Sequence, residues 1–304
     1  MFVLEYCNDP ENADLHPGNQ TFTDSFEKEF DKEINSLDRF IYLIDMFRII
    51  ESCSEDLVGV TINNMDEFWK INKCLLNYVN SVYSYKEFIN SYDPPLKRIT
   101  EDYYRSKKWY RFVCDYRNRV IHQSTIIKDY ARGSMDIFVD LDEVIEIQES
   151  FHFEKESQRR NSERFAAVLV EMKKEAKVMQ GKHFLSMKYI AKKADSEISA
   201  MRDEVLLYAY RKGIKPVLEW FISFMPIIEG TYQYVFIVDK NRLPDAVYEP
   251  NYVLEDFVRR LVAYLGKEHV VCKEIIDLLT KKQYNYFYDG NCDIDNYIQM
   301  ASTT

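Results

Sequence analysis

Arg117-Asn118-Arg119-Val120-Ile121-His122 joins a histidine to two guanidinium groups and an amide within six residues, in a chain that has only five histidines. These residue types suit cleavage of RNA without a metal. A base must take the proton of the 2′-OH, and a cation must stabilise the charged phosphorane. Histidine titrates near neutral pH and fits the first task. Arginine stays charged, and its planar fork pairs with phosphate oxygens, which fits the second. Asn118 stands four residues before His122, on the same face of a helix. There its amide can hold the imidazole in one tautomer. Arg117 stands five residues before His122, about 140° round an ideal helix. The two meet one phosphate only if the helix ends near Ile121 or if a second copy of the motif completes the site.

Positive charge gathers around this motif. The whole chain carries a formal charge of −10, yet from Lys97 to His122 eight basic residues stand against three acidic ones. The overall charge disfavours indiscriminate nucleic-acid binding, while the local excess leaves room for RNA. Lys107, Lys108, Arg111 and Arg119 are the candidate contacts to its phosphate backbone. The same residues also fit a plainer role. Arg117 and Arg119 near the end of a helix complement its dipole, with His122 at the surface.

The elements that must carry the motif are helical. Only eight Gly and eight Pro occur in 304 residues, while aromatics make up 15%. That argues for long helices around a bulky core. An apolar stripe at Phe22, Phe26, Phe30, Ile34, Leu37, Ile41 and Ile44 has helical spacing, with a break at 52–59. Asn63 or Asn64 caps a second helix, striped by Phe68, Leu75, Val79, Val82 and Ile89 and stopped by Asp93-Pro94-Pro95. A third runs from about Leu96, with Ile99, Tyr103, Tyr110, Val113 and Val120 on one face, and bears the motif at its C-terminal end. A β-hairpin over about 125–139 follows, turning at Ala131-Arg132-Gly133-Ser134. Helices resume at Leu141, over 162–193 and over 197–212, the last reaching toward Phe224. Tyr232–Val238 reads as a lone strand, and Val253–Leu265 and Val271–Lys281 as short amphipathic helices. Residues 1–20 read as an acidic, irregular lead-in. The expected division is therefore 1–20, a helical domain over 21–195, and a C-terminal helical region over 196–304.

Several classes are excluded at this level. The six cysteines show no CxxC spacing, so neither a zinc site nor a redox pair is expected. The start of the chain turns acidic at Glu5, unlike a secretory signal. The most apolar stretch, Trp220–Ile228, is far too short for a membrane span. A soluble, cytoplasmic protein with reduced thiols and no membrane partner is expected. P-loop, GxGxxG and serine-hydrolase signatures are absent, so no cofactor is expected.

Arg-Asn-x-x-x-His near the end of a long aromatic and basic helix resembles the signature of the HEPN superfamily, whose motif is Arg, four to six residues, then His. The resemblance covers about residues 22–195. It implies a mainly α fold, a HEPN-like helical bundle that forms a homodimer with two motifs facing a shared cleft. It also implies a metal-independent endoribonuclease, leaving a 2′,3′-cyclic phosphate and a 5′-hydroxyl, in a toxin–antitoxin or antiviral defence setting with an antitoxin or defence-system partner. Carried over to this chain, Arg117 and His122 are catalytic and Asn118 positions. The rival reading is a non-catalytic HEPN-like module that binds a nucleotide or a partner.

Other candidates are weaker. Gly133-Ser134 followed by Asp140-Leu141-Asp142 suggests a nucleotidyltransferase metal pair, but the spacing is about half what that family needs. Asp140 and Asp142 instead suit the start of a helix. His152 between Phe151 and Phe153 reads as a packing residue, His183 as exposed and His269 as part of a turn. None has metal-ligand spacing to Cys or another His. Gln158-Arg159-Arg160-Asn161 and Lys173-Lys174 read as solvated helix faces.

Overall fold

The computed structural model describes residues 3–7, 16–17, 23–61, 67–123, 138–149, 156–224, 234–238, 244–248 and 250–281. The chain divides into two compact units, residues 45–205 and residues 1–44 with 206–304. Among the described residues the protein is mainly helical, with antiparallel strands in each unit.

Unit 45–205 holds the motif. Helix α1 (Thr23–Gly59) enters it at Asp45. The break expected at 52–59 does not occur, because the buried stripe continues through Phe47, Ile50, Ser54 and Leu57. That burial outweighs the modest helix propensity of the Ser-Cys-Ser segment, and the helix ends at Gly59. Helix α2 (Phe68–Tyr92) follows; the Asn63/Asn64 cap lies outside the described residues. Asp93 is extended, and Pro94 and Pro95 open α3 (Pro94–Ser106), where their missing N–H groups cost nothing.

The single helix expected from Leu96 to the motif is two helices. Lys107 is extended (φ −104°, ψ 108°) and separates α3 from α4 (Lys108–Gln123). Helix α4 packs on α2, α3 and α6 (Glu156–Lys173). Tyr110, Phe112 and Val113 on α4 are fully buried. Phe112 stacks on Tyr116 (centroids 5.0 Å apart) and meets Phe165 of α6.

Most of the hairpin expected over 125–139 lies outside the described residues. Phe138 and Val139 from its end belong to β3 (Phe138–Asp140), which pairs with a later strand and leads into α5 (Leu141–Glu149). The long helix expected over 162–193 is interrupted by a hairpin, β4 (Lys177–Met179) and β5 (Lys182–Ser186), before α7 (Met187–Ala209). Gln180 (φ 51°) and Gly181 (φ 80°) are both left-handed, as a two-residue hairpin turn requires. The sheet order is β3-β5-β4, with Val139 opposite Leu185 and Val178 opposite His183.

The other unit contains the first part of α1, a π-helical turn at Tyr210–Ile214, α8 (Lys215–Phe224), α9 (Pro250–Leu265) and α10 (Val270–Lys281). Phe30 packs edge-on against Phe221, and Phe40 meets Phe257 at a tilt of 48°. Residues 1–20 are not simply an irregular lead-in. β1 (Val3–Cys7) and β2 (His16–Pro17) join β6 (Tyr234–Val238) and β7 (Pro244–Tyr248) in the antiparallel order β2-β1-β6-β7. The strand expected as solitary at 232–238 is thus paired on both sides. The pairing with β1 joins positions more than 200 residues apart in the chain, beyond the reach of a local pattern, whereas the pairing with β7 is a local hairpin.

Candidate functional site

Helix α4 is anchored at its start by a residue from far along the chain. The Glu197 carboxylate of α7 accepts the backbone N–H of Trp109 (3.1 Å) and of Tyr110 (2.8 Å). These are two of the N–H groups that a helix start leaves without an internal partner. Burial pushes the Glu197 carboxyl up, and the two N–H groups hold it back.

The middle of α4 carries a buried charged cluster. Arg111 is 5% exposed. Its Nε donates to Asp115 Oδ2 (3.3 Å), and its Nη2 donates to the carbonyl of Asn161 on α6 (3.3 Å). Tyr104 of α3 donates its hydroxyl to Asp115 Oδ1, and the Arg111 guanidinium lies 4.9 Å from the Tyr104 ring. Burial raises the Asp115 carboxyl, against the pull of Tyr104, Arg111 and Lys86. Arg111 therefore ties α3, α4 and α6 together and leaves the set of phosphate contacts. Lys108 is also engaged, with Glu171 (3.6 Å) and Glu175. Lys107 lies over the Tyr103 ring at 5.7 Å.

Arg117 sits six residues beyond Arg111, about 1.7 turns along the helix. Its Nε donates to Asn80 Oδ1 of α2 (3.3 Å), and its guanidinium lies 4.2 Å from the centre of the Tyr83 ring. A guanidinium over an aromatic face gains cation–π attraction, and Asn80 sets its direction. Asn118, Arg119 and His122 lie on the same helix, which continues through Gln123. Their side chains are outside the described residues. Because α4 does not end near Ile121, helical geometry keeps Arg117 and His122 about 140° apart round the axis. Asn118 and His122 share one face.

The remaining candidates fall into structural roles. Asp140 Oδ1 accepts the N–H of Asp142 (3.0 Å) and Glu143 (3.1 Å), capping α5 as expected, and its Oδ2 pairs with Lys182 (2.7 Å). Asp142 accepts the backbone N–H of His183 (2.6 Å), faces its Nδ1 (3.0 Å) and pairs with Lys173. His183 is thus held by a carboxylate and is about one-third exposed (32%), and Lys173 is no simple solvated cation. Arg159 and Arg160 do lie on an exposed face, paired with Glu156. His269 Nδ1 accepts the N–H of Val271 at the start of α10. His152 lies outside the described residues. Among the described residues, no group of His, Cys, Asp and Glu has the makings of a metal site, and no helix is long and apolar enough to cross a membrane.

Two arrangements escaped the sequence reading. One is the Asp142–His183 pair. The other is Asp195 of α7, which accepts hydroxyl hydrogen bonds from Ser54 and Tyr78. Both join positions at least 41 residues apart, and nothing in the local spacing announces them. Compared with protein-family models, curated proteins and solved structures, the chain matches none.

Proposed function

We propose that the protein is a metal-independent endoribonuclease of HEPN type. His122 acts as general base or acid, Arg117 stabilises the phosphorane, and Asn118 orients the imidazole. The observation that carries this reading is the way α2 holds Arg117. A guanidinium steered by Asn80 and backed by Tyr83 meets a phosphate at a small entropic cost, which is what electrostatic stabilisation of a transition state demands. The unbroken course of α4 favours a site completed by a second copy of the chain, with Arg117 from one and His122 from the other.

Incubation of the purified protein with total RNA and with tRNA, in EDTA, tests the activity. Cleavage products ending in a 2′,3′-cyclic phosphate are expected. Arg117→Ala and His122→Ala should each lower the rate by at least about 100-fold, with the circular dichroism spectrum unchanged. Equal cleavage by wild type and both variants would sink the proposal.

A second reading has its own observation. Lys108 and Arg111 are spent on internal pairs, which leaves fewer cations for RNA and favours a non-catalytic HEPN-like module that binds a partner. It requires partner binding to survive His122→Ala. A defence or antitoxin partner belongs to either reading.

A further inference from the structure

A cavity of about 410 Å3 opens between the second part of α1 and α7, inside unit 45–205. Its size falls within the range of small-molecule sites, roughly 300–1,000 Å3. Phe47, Ile50, Val58 and Ile198 give it apolar walls. Asp195 and Ser54 supply its polar end, and Ser54 is almost wholly buried. Tyr78, fully buried behind them, donates its hydroxyl to Asp195 Oδ1 (2.8 Å), and Ser54 donates to Oδ2.

Among the described residues this carboxylate has no counter-ion, since no cation lies within ion-pair distance of Asp195. Arg202, which also lines the cavity, is engaged by Glu51 (2.7 Å) and by Asp203 (2.9 Å). Two hydroxyl donors offset only part of the cost of desolvating a carboxylate. Burial accordingly raises the Asp195 carboxyl, Ser54 and Tyr78 pull it back, and the charge of Glu51 pushes it further up. Glu51 and Glu55 line the same cavity, so its field attracts positive charge.

We propose that this cavity binds a small organic cation, an ammonium group on an apolar body, with Asp195 as its counter-ion. The apolar body lies along Phe47, Ile50 and Ile198, and the ammonium replaces the solvation that Asp195 has lost. The proposal is independent of the RNA-cleavage reading, and neither depends on the other.

Isothermal titration of the full chain with three probes of one shape and different charge tests it: phenethylamine, 2-phenylethanol and phenylacetate. The amine should bind at least roughly tenfold tighter than the alcohol, and phenylacetate should not bind. Asp195→Asn should erase the preference for the amine. Should that variant fail to fold, Ser199→Phe fills the cavity from α7 and should abolish amine binding with the helical spectrum retained. Equal affinity for amine and alcohol would overturn the proposal. So would absence of amine binding at millimolar concentration, or undiminished binding in Ser199→Phe.

Discussion

Single side chains in this protein are tied into place by partners distant in sequence. Asp142 is a clear case. Desolvation opposes its ionisation, but Lys173 and both the N–H and the ring of His183 outweigh it and bring the carboxyl down to about 2. A carboxyl depressed on folding stabilises the native state above its unfolded value, and the contribution is lost as pH falls through the folded value. The window here runs from about pH 4, near the ordinary value of 3.8, down to about 2. Solvent screening limits the effect to on the order of 1 kcal/mol. Urea denaturation at pH 6 and pH 2.5 should show the wild type losing most of that increment, while Asp142→Asn lacks it at both. An acid response equal in the two proteins would show that Asp142 is not the group responsible. At this scale the sequence showed which residues of the motif could do chemistry. It did not show which of the nearby cations were already engaged. Arg111 and Arg117 look alike in the sequence, six residues apart. One is buried against Asp115 and Asn161, and the other is held by Asn80 and Tyr83.

Helices were legible where a local signal made them. The apolar stripes placed α2, α9, α10 and the first part of α1, and Asp93-Pro94-Pro95 placed the end of α2 and the start of α3. The junction at Lys107 was not legible, since it has neither Gly nor Pro and the cap of α4 comes from Glu197, almost 90 residues downstream. Glu197→Ala should therefore cost about 1 kcal/mol, as loss of a helix cap does. Amide exchange should quicken first at Trp109 and Tyr110. Unchanged exchange at those two amides would remove the cap from the account. The β4–β5 hairpin was missed for a different reason. Its turn is Gln-Gly rather than the more conspicuous Asn-Gly, set in a run of helix-forming residues. Gly181 takes φ 80° with open space where a Cβ would stand, so the cost of a side chain there is backbone strain alone. Gly181→Ala should destabilise the hairpin by about 1 kcal/mol, seen as faster exchange of its ladder amides. A neutral or stabilising result would mean that the turn does not need its left-handed geometry.

For the whole molecule the question is how many chains make one site. Helix α4 runs unbroken through Gln123, which holds Arg117 and His122 on different sides of one cylinder. In the proposed dimer a twofold axis would bring the same helix end from each copy together and form two equivalent composite sites. Each cleft would then take Arg117 from one chain and His122 from the other, and that arrangement has a consequence that a site within one chain lacks. Arg117→Ala and His122→Ala should each be inactive alone. When they are mixed and allowed to exchange, half of the dimers combine one chain of each kind, and one of the two clefts in such a dimer regains both residues. Activity should return to roughly a quarter of the wild-type rate. A single-chain site predicts no recovery at all, whatever the extent of exchange. Exchange itself is followed separately, by mass-tagged subunits, so a failure to mix is not mistaken for a failure to complement. Recovery would assign the nuclease to the pair of chains; its absence, with exchange complete, would place any activity within one chain and require His122 to turn toward Arg117 at the end of α4.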